Sequence, residues 1–169
     1  MIPISNHTDV NEVLLPADIL SIYQQYSDIV TSTYITDIQG DKYIYPNIKL
    51  TPKILSALFP LKEHPVHGIT GIHVIEKYDE NDHVRKYSYQ WKVIIPKMGI
   101  QSFHISAWGN DPHDDPKTPE EFIVSSEPHH HHHVPKEWSK RKDNWSIWTL
   151  DEAFEFVAHY IRSGQEYKP

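Results

Sequence analysis

The segment "ITGIHVIEKYDENDHVRKYSYQWKVII" (residues 69–95) gives the clearest structural signal in the chain. Two runs rich in β-branched and aromatic residues flank the polar residues 79–82, and this pattern predicts a β-hairpin. The second run alternates apolar and polar residues, which is typical of a strand with one buried face. We therefore expect the hairpin to belong to an antiparallel sheet. Its alternating apolar positions are Tyr87, Tyr89, Trp91, Val93 and Ile95.

The sequence after the hairpin predicts a third strand and a terminal helix. In "QSFHISAW" (residues 101–108) apolar and polar residues alternate again. A proline-rich acidic loop then leads to the short apolar run "FIVSS" (residues 122–126). Thr149 and Glu152 have the spacing of a helix capping box, and Gly164 follows as a stop signal. The alternating apolar residues of the third strand are Phe103, Ile105 and Ala107.

Two helices are predicted before the hairpin. Apolar residues recur every three or four positions in residues 17–30, which indicates one buried helical face. In residues 51–60, Thr51 can cap a helix, Pro52 suits the first helical position and Pro60 ends it. We expect a second, shorter helix here.

Together these elements predict an α+β fold. It consists of an antiparallel sheet of about four strands, two N-terminal helices and a C-terminal helix packed on the sheet. Residues 1–66 would form a helical N-terminal extension. Residues 67–169 would form the sheet and the C-terminal helix, and the two parts would make one compact unit.

The composition bears on several classes of protein. The chain has 169 residues, no cysteine and a formal net charge of −7. Lack of cysteine excludes disulfides and thiol chemistry, and the acidic balance argues against a general nucleic-acid coat, although a local basic patch could contact RNA. No run of about 18 apolar residues occurs, and the N-terminus lacks a basic region followed by an apolar one. We expect a cytoplasmic protein without a membrane partner.

Five of the 13 histidines are consecutive, and we call these residues, 129–133, the histidine strip. It lies inside the chain, so we interpret it as native and not as a purification tag. In an extended conformation alternate histidines point to opposite sides. Two on one side could bind a divalent transition metal such as zinc, nickel or iron, but any five-histidine run contains every short spacing, so the pattern assigns no cofactor. The metal-ligand candidates are His129, His131 and His133.

Acid–base chemistry is a second interpretation of the histidine strip. Imidazole exchanges protons near neutral pH, and cleavage of RNA by its 2′-hydroxyl needs a base, an acid and cations near the phosphate. The following stretch, "KEWSKRKDNW" (residues 136–145), mixes cations with tryptophans that could stack on bases. A solvated loop of lysines beside histidines with no role other than structure is the alternative.

Four segments in order resemble the TumE-like family of small toxins from prokaryotic toxin–antitoxin pairs. They are "KYSYQW", "AWGNDPH", "PHHHHHV" and "WTLDEAFEFV", and the resemblance covers about residues 67–163. It implies a toxin that is neutralised by an antitoxin and that acts on RNA. The chain departs from the family pattern in "WGNDPH", where an Asp is expected before the Asn, and in its N-terminal residues. The matching positions are Trp108, Asn110, His113, Pro128, His129, His130 and His132.

On the toxin hypothesis, which combines this resemblance with the basic stretch after the histidine strip, we assign roles to the candidate residues. His130 and His132 are the acid–base candidates, with His113 assisting. Asn110 would orient a water or a substrate group. The candidates for substrate binding are Lys140 and Arg141 at phosphate, and Trp108 and Trp138.

Two other classes of function fit the same sequence. One is a metal-binding or protein-interaction module without turnover. The other is an accessory protein of a defence locus, in which a toxin-like fold serves binding alone and the acidic residues 111–121 meet a basic partner.

Overall fold

The computed structural model describes residues 6–37, 40–95, 99–111, 116–117, 119–132 and 140–169. Its main element is a seven-stranded antiparallel sheet in which every strand pairs with its neighbours in the sequence. A separate two-stranded sheet precedes it, made of β1 (Thr33–Asp37) and β2 (Gly40–Ile44). The strands of the main sheet are β3 (Asn47–Leu50), β4 (Ile54–Pro60), β5 (Thr70–Tyr78), β6 (Val84–Ile95), β7 (Gly99–Gly109), β8 (His130–His132) and β9 (Lys142–Asp143).

Two α-helices accompany the sheets, α1 (Ile19–Tyr26) and α2 (Leu150–Ser163), together with a 3₁₀ turn at Glu120–Phe122. The predicted capping box of α2 is confirmed, because Thr149 and Glu152 each bond to the other's backbone N–H. Gly164 ends the helix at φ +70°, a left-handed conformation that favours glycine. In the part of the chain that the structure describes, neither helix is long and apolar enough to span a bilayer.

The core lies between α2 and one face of the main sheet, which we call the inner face. The inner face presents Tyr87, Tyr89 and Trp91, all almost completely buried, as the alternation in the hairpin predicts. The predicted alternation does not hold beyond Trp91, because the register shifts there, and Ile94 is buried while Val93 and Ile95 are only partly buried. Phe154 of α2 contacts both Phe59 of β4, with ring centroids 5.1 Å apart, and α1 through Tyr26 at 5.0 Å. We call the opposite side of the sheet the outer face.

The predicted fold class is wrong. The protein is mostly β, its main sheet has seven strands instead of about four, and one helix precedes the sheet instead of two. In the segment predicted as the second helix, residues 51–60, the structure has the strand β4 (Ile54–Pro60), with Leu55, Ala57 and Phe59 buried at a spacing of two. Pairing with β5 and burial of these three side chains outweigh the local helix-start signal of Thr51 and Pro52.

The main sheet continues across the position where we divided the chain. β4 pairs antiparallel with β5 along its whole length, from Ile54 opposite Lys77 to Pro60 opposite Gly71. The segment before residue 67 therefore contributes strands to the same sheet that carries the histidine strip.

Candidate functional site

The histidine strip forms the short strand β8 between β7 and β9. His130 lies opposite Gly109 and His132 lies opposite Ala107 in the antiparallel pairing with β7. Because side chains alternate along a strand, His130 and His132 share the outer face, while His129 and His131 turn to the inner face. The alternation predicted for these four residues is therefore present in the structure.

His129 is built into the core. It is only 3% exposed, and its ring stacks on Trp148 with the centroids 3.7 Å apart. Its Nδ1 lies 2.9 Å from the Tyr87 hydroxyl, and a ring N–H donates to the backbone carbonyl of Val10. Burial lowers the pKa of His129 to about 4, so the ring is neutral at pH 7.

The N-terminal residues close over this part of the histidine strip. His7 stacks on Trp148 at 4.1 Å between centroids, and its two ring nitrogens bond to Glu12 at 2.7 Å and Glu152 at 2.9 Å. Burial alone would lower the pKa of His7, but these hydrogen bonds and charges outweigh it and raise the pKa above its usual value. His7 and His129 thus share one indole but favour opposite protonation states.

His131 also packs inward. Its Nε2 lies 2.6 Å from the hydroxyl oxygen of Ser106, and its ring stacks on Trp108 at 5.4 Å. Trp108 is 2% exposed and packs against Phe156 of α2. The inner half of the histidine strip therefore joins β8 to the core.

The outer pair is held differently, by backbone carbonyls. Nδ1 of His130 is 3.1 Å from the carbonyl oxygen of Pro128, and Nδ1 of His132 is 2.9 Å from that of Lys140. A carbonyl only accepts hydrogen bonds, so Nδ1 of each ring carries the hydrogen and the neutral ring has its lone pair on Nε2. The two ring centroids are 4.9 Å apart.

These rings form one wall of a cleft of about 290 Å³ on the outer face, which we call the outer-face trough. Its floor is β7, where Gly109 and Ala107 present almost no side chain. Register arranges the lining in rows across the sheet: Ser88, Gly109 and His130; then Gln90, Ala107 and His132; then Lys92 and His104. Small residues on the middle strand between longer ones on its neighbours create the trough.

Gly109 allows His130 to lie close to the floor. A Cβ at Gly109 would be 3.4 Å from Nε2 of His130 and 3.2 Å from the carbonyl oxygen of Tyr87. A larger residue would therefore press against the ring and the neighbouring strand at once.

The two ends of the outer-face trough differ in charge. At one end Lys86 forms an ion pair of 2.6 Å with Asp111, the only acidic residue that lines the trough among the described residues. At the other end Lys92 is half-buried, and burial lowers its pKa. His73 of β5 lies beside it on the outer face, and burial followed by the charge of Lys92 lowers the pKa of His73.

Several predicted site residues lie elsewhere or serve the scaffold. The side chain of Asn110 accepts from Tyr87 N at 2.8 Å and donates to Arg85 O at 3.0 Å, which fixes the end of β7 to β6. The side chain of Arg141 is 3% exposed and pairs with Glu127 at 2.7 Å. Lys140 is exposed just before β9. Trp108 is among the residues that line the trough, although its ring stacks on His131 and packs against Phe156. His113, His133 and Trp138 lie outside the described residues.

The metal interpretation gains no support from the described ranges. Within them, no group of three or more His, Cys, Asp or Glu side chains is arranged to hold a metal ion. His129 and His131, two of the three metal candidates, are engaged by Tyr87, Ser106 and the indoles of the core.

Sequence reasoning missed the opposite wall of the outer-face trough. Ser88, Gln90 and Lys92 are the polar members of the alternating strand, and in the sequence they look like an ordinary solvent-facing set. Only the pairing of β6 with β7 and of β7 with β8 brings them opposite the histidine strip. No family model, no curated protein and no solved structure matches the chain.

Proposed function

We propose that the protein is a toxin-like ribonuclease that cleaves single-stranded RNA in the outer-face trough, with His130 and His132 as its acid–base pair. The main support is that the two imidazole rings are held in the same way. Each donates Nδ1–H to a backbone carbonyl, so each directs the same kind of Nε2 lone pair away from its anchor. With centroids 4.9 Å apart, both rings can reach oxygens of one phosphate group.

The proton transfers of the reaction require only the two imidazoles and the RNA. The neutral ring takes the proton of a 2′-hydroxyl, and the resulting oxygen attacks phosphorus. The bond from phosphorus to the 5′-oxygen breaks, and the protonated ring gives its proton to that oxygen. The products are a 2′,3′-cyclic phosphate and a free 5′-hydroxyl, and the two rings have exchanged protonation states.

The walls of the outer-face trough suit this chemistry. The amide of Gln90 and the hydroxyl of Ser88 can bond to sugar or base, and the ammonium of Lys92 gives the trough a positive charge that attracts the RNA backbone. An antitoxin encoded beside the protein is part of the proposal, because it rests on the resemblance to TumE-like toxins.

The test is cleavage of a short fluorescent RNA by purified protein. We expect a 2′,3′-cyclic phosphate product, no cleavage when the 2′-hydroxyl at the scissile position is replaced by hydrogen, and a loss of about 10²- to 10⁴-fold in His130→Ala and in His132→Ala. His83→Ala, at the turn between β5 and β6, is the matched control and should retain wild-type activity. Full activity in both trough variants, or cleavage of the deoxy-substituted strand, would contradict the proposal.

Expression in cells tests the toxin part separately. The wild-type protein should arrest growth and break down cellular RNA, and the His130→Ala/His132→Ala protein should do neither while remaining folded. If the protein cleaves RNA in vitro but its expression is harmless, the protein is a ribonuclease and not a toxin.

A further inference from the structure

The end of the outer-face trough at Lys92 has a composition that the acid–base pair does not explain. Lys92 lies opposite His104 in the pairing of β6 with β7, and both line the trough. His73 is opposite Gln90 on β5, on the same face and one diagonal step from Lys92. Three neighbouring strands therefore bring one ammonium and two imidazoles to a single corner of the sheet.

We propose that Lys92, His104 and His73 form a phosphate-binding subsite. Side chains in successive rows on one face of the sheet are about 7 Å apart along the strands. The subsite is one row from His132 and would therefore hold the phosphate next to the scissile one. The assignment to RNA rests on the proposed function, whereas binding of inorganic phosphate does not. It also moves phosphate binding away from Arg141, whose side chain is buried against Glu127.

The charge of Lys92 supports an anionic ligand. Among the described residues no carboxylate pairs with Lys92, whereas Lys86, six positions earlier on the same face, has Asp111 at 2.6 Å. Removing an ammonium from water is unfavourable unless an anion or hydrogen-bond acceptors replace the water. A phosphate at this corner would supply both the charge and the acceptor oxygens.

The two imidazoles make the subsite sensitive to protonation. The groups that face this corner are His73 from β5, Gln90 and Lys92 from β6, His104 from β7 and His132 from β8. In the unliganded protein, burial and then Lys92 lower the pKa of His73. A bound phosphodiester, which stays a monoanion between pH 7.5 and 5.5, reverses the local charge and favours protonated imidazole, so its binding should take up protons and should become tighter as the pH falls over that range.

Calorimetric titration of the full chain with inorganic phosphate tests the subsite. Dimethyl phosphate, a phosphodiester that does not titrate near neutral pH, is the probe for protonation, and its titrations in two buffers of different ionisation enthalpy should reveal net proton uptake at pH 6.5. Lys92→Gln should weaken binding at least tenfold, and His73→Gln or His104→Gln should reduce the proton uptake. Lys86→Gln removes a lysine from the same strand and face but outside the corner, and its affinity should stay within twofold of wild type. Equal affinities of Lys92→Gln and wild-type protein, or equal losses in the two lysine variants, would overturn the proposal.

A second arm separates the subsite from the proposed function. A 2′-deoxy single strand should bind the His130→Ala/His132→Ala protein, and adding Lys92→Gln should weaken that binding by the same factor as for phosphate. Phosphate binding that depends on Lys92 in a protein that cleaves no RNA would uphold the subsite and reject the ribonuclease. RNA cleavage that depends on His130 and His132, with phosphate binding indifferent to Lys92, would do the reverse.

Discussion

The inner and outer halves of the histidine strip consist of the same residue in consecutive positions, yet they differ in nearly every contact. His129 and His131 bond to side chains of the core and stack on tryptophans. His130 and His132 are anchored by backbone carbonyls and line a cleft. The alternation of a β-strand is enough to produce this difference, since it sends neighbouring side chains to opposite faces. A run of identical residues can therefore carry two roles at once.

The difference between the two halves also concerns proton exchange. His129 is held neutral by burial, and its two ring nitrogens are committed to Tyr87 and Val10. Each outer ring is anchored to a backbone carbonyl through Nδ1, and both rings line the outer-face trough. Fixing one nitrogen while directing the other at a substrate is a common arrangement for histidines that transfer protons.

The free energy of unfolding should distinguish the inner half of the histidine strip from its outer half most clearly. His129→Ala removes a buried ring from Trp148 and leaves the Tyr87 hydroxyl without its partner, so it should lower the free energy of unfolding by about 4 kcal/mol. His130 is only 5% exposed, so His130→Ala should cost about 2 kcal/mol, whereas His132→Ala, at a half-buried ring, should cost about 1 kcal/mol. Urea denaturation of the three variants provides the measurement. Equal losses in all three would mean that the two halves are not distinct.

The free energy of unfolding should depend on pH through His129 and His7, in opposite directions. The folded pKa of His129 is about 4, below the unfolded value of 6.5, so the unfolded chain binds a proton first as the pH falls. Stability should therefore drop between pH 6.5 and 4, by at most about 3 kcal/mol from this residue. The pKa of His7 is raised, so its contribution is present below pH 6.5 and is lost as the pH rises above that value.

Two ring-preserving variants isolate these contributions. His129→Phe keeps a ring on Trp148 but cannot titrate, so its thermal midpoint should lose the decline on the acid side of the wild-type profile. His7→Phe should lose the stabilisation that His7 contributes below pH 6.5, because its contacts with Glu12 and Glu152 disappear. Profiles parallel to that of the wild-type protein in both variants would show that other groups control the pH dependence.

Features that depend on residues close together in the sequence could be predicted, whereas features that depend on the pairing of distant strands could not. The hairpin of β5 and β6, the capping box of α2 and the alternation within the histidine strip depend on neighbouring residues, and all three are present. The prediction of a helix at residues 51–60 is wrong, because its local helix-start signal competes with strand pairing that only the folded sheet supplies. The outer-face trough depends on the register of three strands, which a single sequence does not encode in any local pattern.

Ala107 illustrates the same limit at one residue. The alternation of Phe103, Ile105 and Ala107 predicts that Ala107 lies on the apolar side of its strand. In the structure Trp91 is opposite Ser106 and Lys92 is opposite His104, so Ile105 is an extra residue in β7 and forms a bulge. After the bulge Ser106 and Trp108 face inward, and Ala107 becomes the floor of the trough. One unpaired residue thus changes which side chains meet the histidine strip.

The smallest predicted effect concerns the floor beneath His130. Gly109→Ala places a Cβ 3.2 Å from the Tyr87 carbonyl oxygen, a contact that must give by a few tenths of an ångström, and 3.4 Å from Nε2 of that ring, in van der Waals contact with it. We expect a stability loss of about 1 kcal/mol, as for mild overpacking, and about tenfold slower RNA cleavage, since proton transfer depends on hydrogen-bond geometry. Imidazole NMR signals supply an internal control: those of His130 should move while those of His129 and His131, on the inner face, should not. Movement of all the signals together would mean that β8 responds as a rigid unit and that its two faces are not independently tuned.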